Sequence, residues 1–305
     1  SMPFKRATIL ANPHARRARH FDPESALKYL REQGYEARYE APAGVEALTK
    51  SAKQVAEREE EILFVFGGDG TLRLVAGAIV GSKTALAALA GGTTNVWVRE
   101  TNIPFDGNKA IQKHLDGQQV KIDLGRVNGE PFMLMVGIGW DAEIASHVSA
   151  GLKRRLGVAA YVLYGIPLVP SLRTSQIEWS TAEENFSEQT AILIVSNTRS
   201  YGGVVSFTPK ANAADGFFDI CSLNPRGLKD VVSLSVALLR SKLPKDERVV
   251  RGSASRIQIH SAGHWIQVDG DVIGQTPATI EIERSALLVS VPVGELPDIV
   301  RKQVS

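Results

Sequence analysis

The chain has 305 residues, of which 44% are hydrophobic and 22% charged, with a formal net charge of +2 and one cysteine, Cys221. That length exceeds one ordinary core and predicts one large or two medium globular domains. The near-neutral balance gives no electrostatic footprint for nucleic acid, and a single cysteine excludes an internal disulfide and any multi-cysteine metal site and fits a reducing cytoplasm. No signal pattern opens the chain. The longest mostly apolar run, residues 157–170, is shorter than the roughly 20 residues a spanning helix needs, so no transmembrane segment is expected.

The first third alternates strand and helix. Residues 7–11 read as a buried strand. Asp22 and Pro23 supply an N-cap and a first helical residue for a helix through Leu30, which Gly34 stops. A short strand follows at 35–39. An amphipathic helix follows at 45–60, with Val45, Leu48, Ala52, Val55 and Ala56 on one face. Residues 62–66 are continuously apolar, as in a parallel strand buried on both faces. A helix at 72–80 and a strand at 85–89 complete a βαβαβ order and predict a parallel sheet.

Beyond Lys121 the texture changes to short alternating runs. Strands are expected at 119–127 and 131–137, joined by a hairpin at Asn128-Gly129. Others are expected at 176–180, 190–196, 217–222, 255–260, 265–268, 279–282 and 287–291. This spacing predicts an antiparallel sandwich. Helical patterns fall at 152–164, 228–239 and 296–304. The fold class is therefore an N-terminal α/β domain with a parallel sheet plus a C-terminal antiparallel β-sandwich. The expected boundaries are 1–120 and 121–292, with a terminal helix, 293–305, packing back on the first domain.

The strongest chemical signal is Phe64-Val65-Phe66-Gly67-Gly68-Asp69-Gly70-Thr71-Leu72. A buried strand runs through a glycine-rich turn into a helix. Glycines let backbone approach a phosphate closely, and the helix N-terminus offers unpaired N–H groups and a positive dipole end. The Lys-Ser/Thr ending of a Walker A loop is absent. Two further loops, Asn12-Pro13 and Gly91-Gly92-Thr93-Thr94-Asn95, follow predicted parallel strands, at whose carboxyl ends ligands bind in open α/β sheets. Arg16 and Arg17 extend the first of these loops; either could contact phosphate, or both are solvated. The alternative for each loop is ordinary turn chemistry.

Gly67-Gly68-Asp69-Gly70-Thr71 is similar to the signature of diacylglycerol, sphingosine and NAD kinases. Asn12-Pro13 and Gly92-Thr93-Thr94-Asn95 resemble the other nucleotide loops of the diacylglycerol-kinase catalytic domain. Ile122-Asp123-Leu124-Gly125, Gly139-Trp140-Asp141-Ala142, Tyr201-Gly202-Gly203, Asp215-Gly216-Phe217-Phe218-Asp219 and Val268-Asp269-Gly270-Asp271 look like the ordered motifs of the soluble bacterial lipid kinases, over nearly the whole chain. The resemblance implies ATP bound by the first domain, a lipid bound by the second and an active site in the cleft between them. Asp269 and Asp271 become candidate catalytic carboxylates, with the base unassigned between them; the family usually has Asp-Gly-Glu there. The resemblance makes Asp215 a Mg²⁺ ligand beside the backbone carbonyls of Asn212 and Phe217, with Asp123 reaching the ion through water. It also places a second Mg²⁺ with ATP near Asp69. Glu40, where the family has a threonine near the nucleotide, and Val96, where an aspartate is usual, are departures.

These readings make the chain an ATP- and Mg²⁺-dependent lipid kinase. Its lipid substrate would lie at the membrane surface, and the protein would be cytoplasmic or peripheral at the inner membrane face. A homodimer is compatible with the sequence and undecided by it. Lys153-Arg154-Arg155 is either a membrane contact or a solvated helix start. The rival functions are an NAD-kinase-type phosphotransferase and a non-catalytic nucleotide-binding lipid sensor or carrier. His114, His147, His260 and His264 lack metal-ligand spacing and read as structural or surface residues. Trp97, Trp140, Trp179 and Trp265 read as core.

Overall fold

The structure, a computed structural model, describes residues 4–139, 174–201, 205–294 and 297–301. The expected helix at 152–164, Lys153-Arg154-Arg155, His147, Trp140-Asp141-Ala142 and Gly202-Gly203 lie outside them. The chain divides into two compact units, Ser1–Leu124 with Arg284–Ser305, and Gly125–Glu283.

The first unit is built on β1 (Lys5–Ala11), β2 (Tyr35–Glu40), β3 (Ile62–Gly67) and β4 (Ala85–Ala90), parallel in the order β2-β1-β3-β4. β3 and β4 are buried at every position, as their unbroken apolar sequence requires. The helices are α1 (Pro23–Glu32), α2 (Val45–Glu57), α3 (Asp69–Ile79), α4 (Val96–Glu100) and α5 (Gly107–Leu115). Asp22 caps α1 by accepting the Glu24 and Ser25 N–H groups. α2 buries Leu48, Ala52 and Val55, whereas Val45, expected on that face, is 58% exposed. Val45 is the first residue of α2, where its side chain overhangs the helix start instead of the sheet. α4 and α5 fall in a stretch without an expected element.

α5 carries His114, which is buried and hydrogen-bonds the Ala88 carbonyl at 2.8 Å through Nε2. With Nε2–H donating, Nδ1 accepts from the Ser290 hydroxyl at 2.9 Å. Burial pulls the imidazole pKa down to about 4. Near the end of the chain the described residues form a 3₁₀ turn, Asp298–Val300, with Ile299 and Val300 buried. This turn stands where the helix 296–304 was expected, and Arg301 after it is extended.

The second unit contains two antiparallel sheets. One has the order β12 (Val249–Ala254), β11 (Phe218–Leu223), β10 (Ile192–Ser196), β7 (Met135–Gly139), β14 (Trp265–Val268), β15 (Asp271–Gln275). The other joins β13 (Arg256–Ile259) to β8 (Ser175–Ser180), β9 (Asn185–Thr190) and the first part of β16 (Ala278–Val291). Their inward residues, among them Val136, Leu193, Phe218 and Ile266 from the first sheet and Ile177, Trp179, Ile257 and Ile280 from the second, form one apolar core. Trp97 and Trp179 are buried as expected, while Trp265 is 40% exposed at the start of β14. The hairpin at Asn128-Gly129 forms, both residues having positive φ, between β5 (Gln118–Val127) and β6 (Glu130–Phe132). The strand expected at 131–137 is broken at Met133-Leu134: its first part pairs with β5, and its second becomes β7 in the other sheet. A sixth described helix, α6 (Leu228–Leu239), follows β11.

Candidate active site

The three predicted nucleotide loops leave adjacent strand ends, since Ala11 of β1 is in register with Phe66 and Gly67 of β3 with Ala90 of β4. The loops are tied by backbone. The Asn12 N–H donates to the Phe66 carbonyl at 2.9 Å, Gly91 N–H to Gly67 at 3.1 Å, and Arg17 N–H to Gly91 at 3.0 Å. The glycines are steric necessities. A Cβ on Gly91 would sit 2.5 Å from the Gly67 nitrogen, and one on Gly92 would sit 2.5 Å from the Gly68 Cα. Two glycine turns therefore pack backbone to backbone. The Asn12 amide donates to the Thr71 hydroxyl at 3.3 Å, and its Oδ1 accepts the His14 N–H at 2.9 Å, turning the chain at Pro13.

Asn95 stands in the left-handed region and closes its own loop: Oδ1 accepts the Gly92 N–H at 2.9 Å and Nδ2 donates to the Gly92 carbonyl at 2.8 Å. Asp69, in the first turn of α3, reaches across to α4. Its Oδ2 accepts the Val96 N–H at 2.9 Å and its Oδ1 the Trp97 N–H at 3.3 Å. It thus caps a helix distant in sequence, a role that a carboxylate performs well. Burial pushes the Asp69 pKa up, against those two N–H groups, Thr94 and the Arg99 guanidinium, which lower it. Val96, the departure from aspartate, meets Asp69 through its backbone N–H, and its side chain is buried.

Arg17 and Arg99 converge on one ring. Their guanidinium carbons lie 5.4 and 4.6 Å from the Phe105 centroid. The Nε of Arg17 donates to the Ala90 carbonyl at 3.1 Å and that of Arg99 to Thr94 at 2.8 Å. Arg16 donates to the Thr93 hydroxyl at 3.3 Å. In the sequence a cation flanking the Gly-Thr-Thr-Asn loop is the signal for Arg99, and none marks Phe105. Glu40 ends β2, in register with Leu10, and among the described residues no hydrogen bond joins it to the three loops.

In the second unit, Asp269-Gly270 is a two-residue turn, φ +47° and +97°, between β14 and β15. The two aspartates differ sharply. Asp269 is buried, and its carboxylate accepts the N–H groups of Met133, Leu134 and Met135 at 2.8, 3.1 and 2.9 Å. These are the residues at the break between β6 and β7, so the carboxylate pins the strand where it changes sheets. Three N–H donors occupy both of its carboxylate oxygens. Asp271 is exposed at the first position of β15.

The Asn212–Phe217 loop is held by side-chain turns. Asp215 Oδ1 accepts the Phe217 N–H at 2.9 Å, and Asn212 Oδ1 the Ala214 N–H at 2.8 Å. Burial, then Asp215, pushes the Asp219 pKa up to about 6, against Arg199 and Arg251. Among the described residues, no group of three or more His, Cys, Asp or Glu side chains is arranged to hold a metal ion. Asp123, of the first unit, is buried and accepts the Ser285 N–H at 2.9 Å.

Glycine loops at the carboxyl ends of a parallel sheet, followed in the chain by an antiparallel sandwich, define a class of two-domain kinases. The Diacylglycerol kinase catalytic domain family matches residues 6–127, and the YegS C-terminal NAD kinase beta sandwich-like domain matches 134–291. Diacylglycerol kinase of Bacillus subtilis (strain 168) is 30% identical over 281 residues, covering 90% of this chain and 92% of that protein. That of Staphylococcus carnosus (strain TM300) is 26% identical over 279 residues, covering 90% and 91%. A crystal structure of a diacylglycerol kinase from Bacillus anthracis str. Sterne superposes with a TM-score of 0.72 at 18% identity, covering 96% and 99%. The chain belongs to the diacylglycerol kinase family and is a lipid kinase. No helix among the described residues is long and apolar enough to cross a membrane.

Proposed function

We propose that the chain transfers the γ-phosphoryl group of ATP, as its Mg²⁺ complex, to the hydroxyl of a diacylglycerol-like lipid, with Asp271 as the base. In this reading the N–H groups that open α3, at Gly70 and Thr71, face the phosphates, where unpaired donors and the helix dipole favour anions. Arg17 and Arg99, steadied by Phe105, add charge beside them. The Asp271 carboxylate takes the proton of the lipid hydroxyl. The hydroxyl oxygen forms a bond to the γ-phosphorus as the bond to the β–γ bridging oxygen breaks, and ADP leaves. The observation that carries the choice of base is the contrast between the two carboxylates: Asp269 is committed to three backbone N–H groups, while Asp271 stands exposed.

The Asn212–Phe217 loop supplies donors that suit a hard cation: one carboxylate and backbone carbonyls, without sulfur or imidazole. Asp215 and the carbonyls of Asn212 and Phe217 would hold Mg²⁺ there. A Mg²⁺ ion bound with ATP neutralises phosphate charge. The test offers ATP and Mg²⁺ with a panel of lipid alcohols, with NAD as a control, to the parent and to Asp271→Asn. Phosphorylated diacylglycerol is expected, with turnover down by roughly 10²- to 10⁴-fold in the variant at unchanged ATP affinity. Phosphorylation of NAD alone, or full turnover by the variant, overturns the reading.

A further inference from the structure

α6 presents an apolar face that the fold leaves uncovered. Leu228, Val232, Val236 and Leu239 are 61, 50, 40 and 66% exposed. At 100° per residue they fall within an arc of about 80°, while Val231 and Leu234 are buried on a different side of the helix. A helix apolar on both sides normally lies inside a protein; among the described residues this one has a partner on one side only. Its surroundings are basic. Arg226, Lys229, Arg240, Lys242 and Lys245 are all exposed, and Lys229 and Arg240 fall beside the stripe at helical spacing. The neighbouring acids Asp230 and Asp246 are paired to Arg248 at 3.5 and 2.8 Å, leaving Glu247 as the exposed acid of residues 226–247.

We infer that α6 docks this lipid kinase on an anionic phospholipid surface, with its apolar stripe in the headgroup–acyl boundary and the five bases on the headgroups. Apolar side chains rimmed by Lys and Arg are the composition of a helix that lies in a membrane interface. A second copy of the chain fits less well. A two-fold contact through this stripe would bring the same basic rim together from both sides and repel. The choice of a bilayer as partner rests on the lipid-kinase reading, because the acceptor of such an enzyme is carried there.

The test sediments the full chain with phosphatidylcholine vesicles, with and without phosphatidylglycerol, in the absence of ATP. Two variants are compared, Val232→Ser/Leu239→Gln and Lys229→Glu/Arg240→Glu. The parent should bind the anionic vesicles and release them in high salt. Each variant should lose about tenfold or more in partitioning, since each basic charge near such a surface is worth about fivefold. Both should phosphorylate a short-chain diacylglycerol in detergent micelles at the parent rate, because the changed side chains are exposed and outside the reaction. Vesicle binding by both variants equal to the parent overturns the inference. So does a parent dimer that the apolar variant dissociates while vesicle binding persists. If micellar lipid is not phosphorylated by the parent but vesicle binding follows the predicted pattern, the kinase reading falls and the docking surface stands.

Discussion

Replacing Asp69 separates its work in holding the loops from any work on ligands. The parent carboxylate accepts one N–H at 2.9 Å and a longer one at 3.3 Å at the start of α4. Hydrogen bonds to a charged acceptor contribute about 1.5–3 kcal/mol, the stretched one least, and a lost helix cap costs about 0.5–2 kcal/mol. Burial of the charge, which pushes the carboxyl pKa up, offsets part of this. The net for Asp69→Ala is a loss of about 1–3 kcal/mol, or a fall of roughly 3–10 °C in melting temperature for a domain of this size. Asp69→Asn keeps one acceptor oxygen and no buried charge, and should fall between. Loosening α4 also shifts Asn95 and the Gly-Thr-Thr-Asn loop it closes, so the KM for ATP should rise in the same order, Asn before Ala. Calorimetry and ATP titrations at saturating lipid read the two effects. If Asp69→Ala melts with the parent while activity disappears, the carboxylate does not support α4 and the reasoning fails.

Two further expectations concern the same unit. His114 has its folded pKa lowered to about 4 from 6.5, so the unfolded chain takes up its proton first as pH falls. The contribution is fully present above pH 6.5 and is lost as pH falls towards 4, amounting to about 3 kcal/mol in all. The melting temperature should decline over that window, and less steeply in His114→Gln; equal slopes would reject the assignment. Arg99→Gln and Phe105→Leu should each raise the KM for ATP by roughly three- to tenfold, from the loss of a charge or of the ring that steadies two. Steady-state kinetics should show kcat little changed, and an unaltered KM in both would remove the pair from the nucleotide site.

The parallel sheet was legible because its inner strands β3 and β4 are apolar throughout and the turns after them carry glycine, and Asp22-Pro23 announced α1 with both residues of a helix start. The elements that escaped have physical reasons. α4 is five residues, Val96–Glu100, capped by a carboxylate from another helix, so no local signal exists. β9 reads Asn-Phe-Ser-Glu-Gln-Thr, an edge strand in which Asn185, Ser187 and Gln189 face solvent and the polar Thr190 is the buried residue. β15, Asp271–Gln275, is another edge and contains a glycine at φ +151°. β16 looked like two strands because its middle, Glu283 to Ser285, is polar and includes Ser285 at positive φ. At the site, the glycine loops were visible as motifs. The Asp69–α4 bond, the Arg17–Phe105–Arg99 cluster and the different environments of Asp269 and Asp271 depend on contacts between residues tens of positions apart.

β16 starts in the second unit and ends in the first, where Val289 is in register with Leu86 of β4 and Ser290 meets His114. During synthesis most of the first unit therefore emerges before the sandwich but is completed after it. Until residues near 290 leave the ribosome, the flank of β4 is bare and the ring nitrogen of His114 lacks its hydroxyl. The whole sandwich, Gly125–Glu283, can form in the meantime. A nascent chain halted before β16 would present a bare strand edge of the kind that chaperones cover and that pairs wrongly with neighbours. The second half of β16 thus acts as the latch on a unit begun before the sandwich.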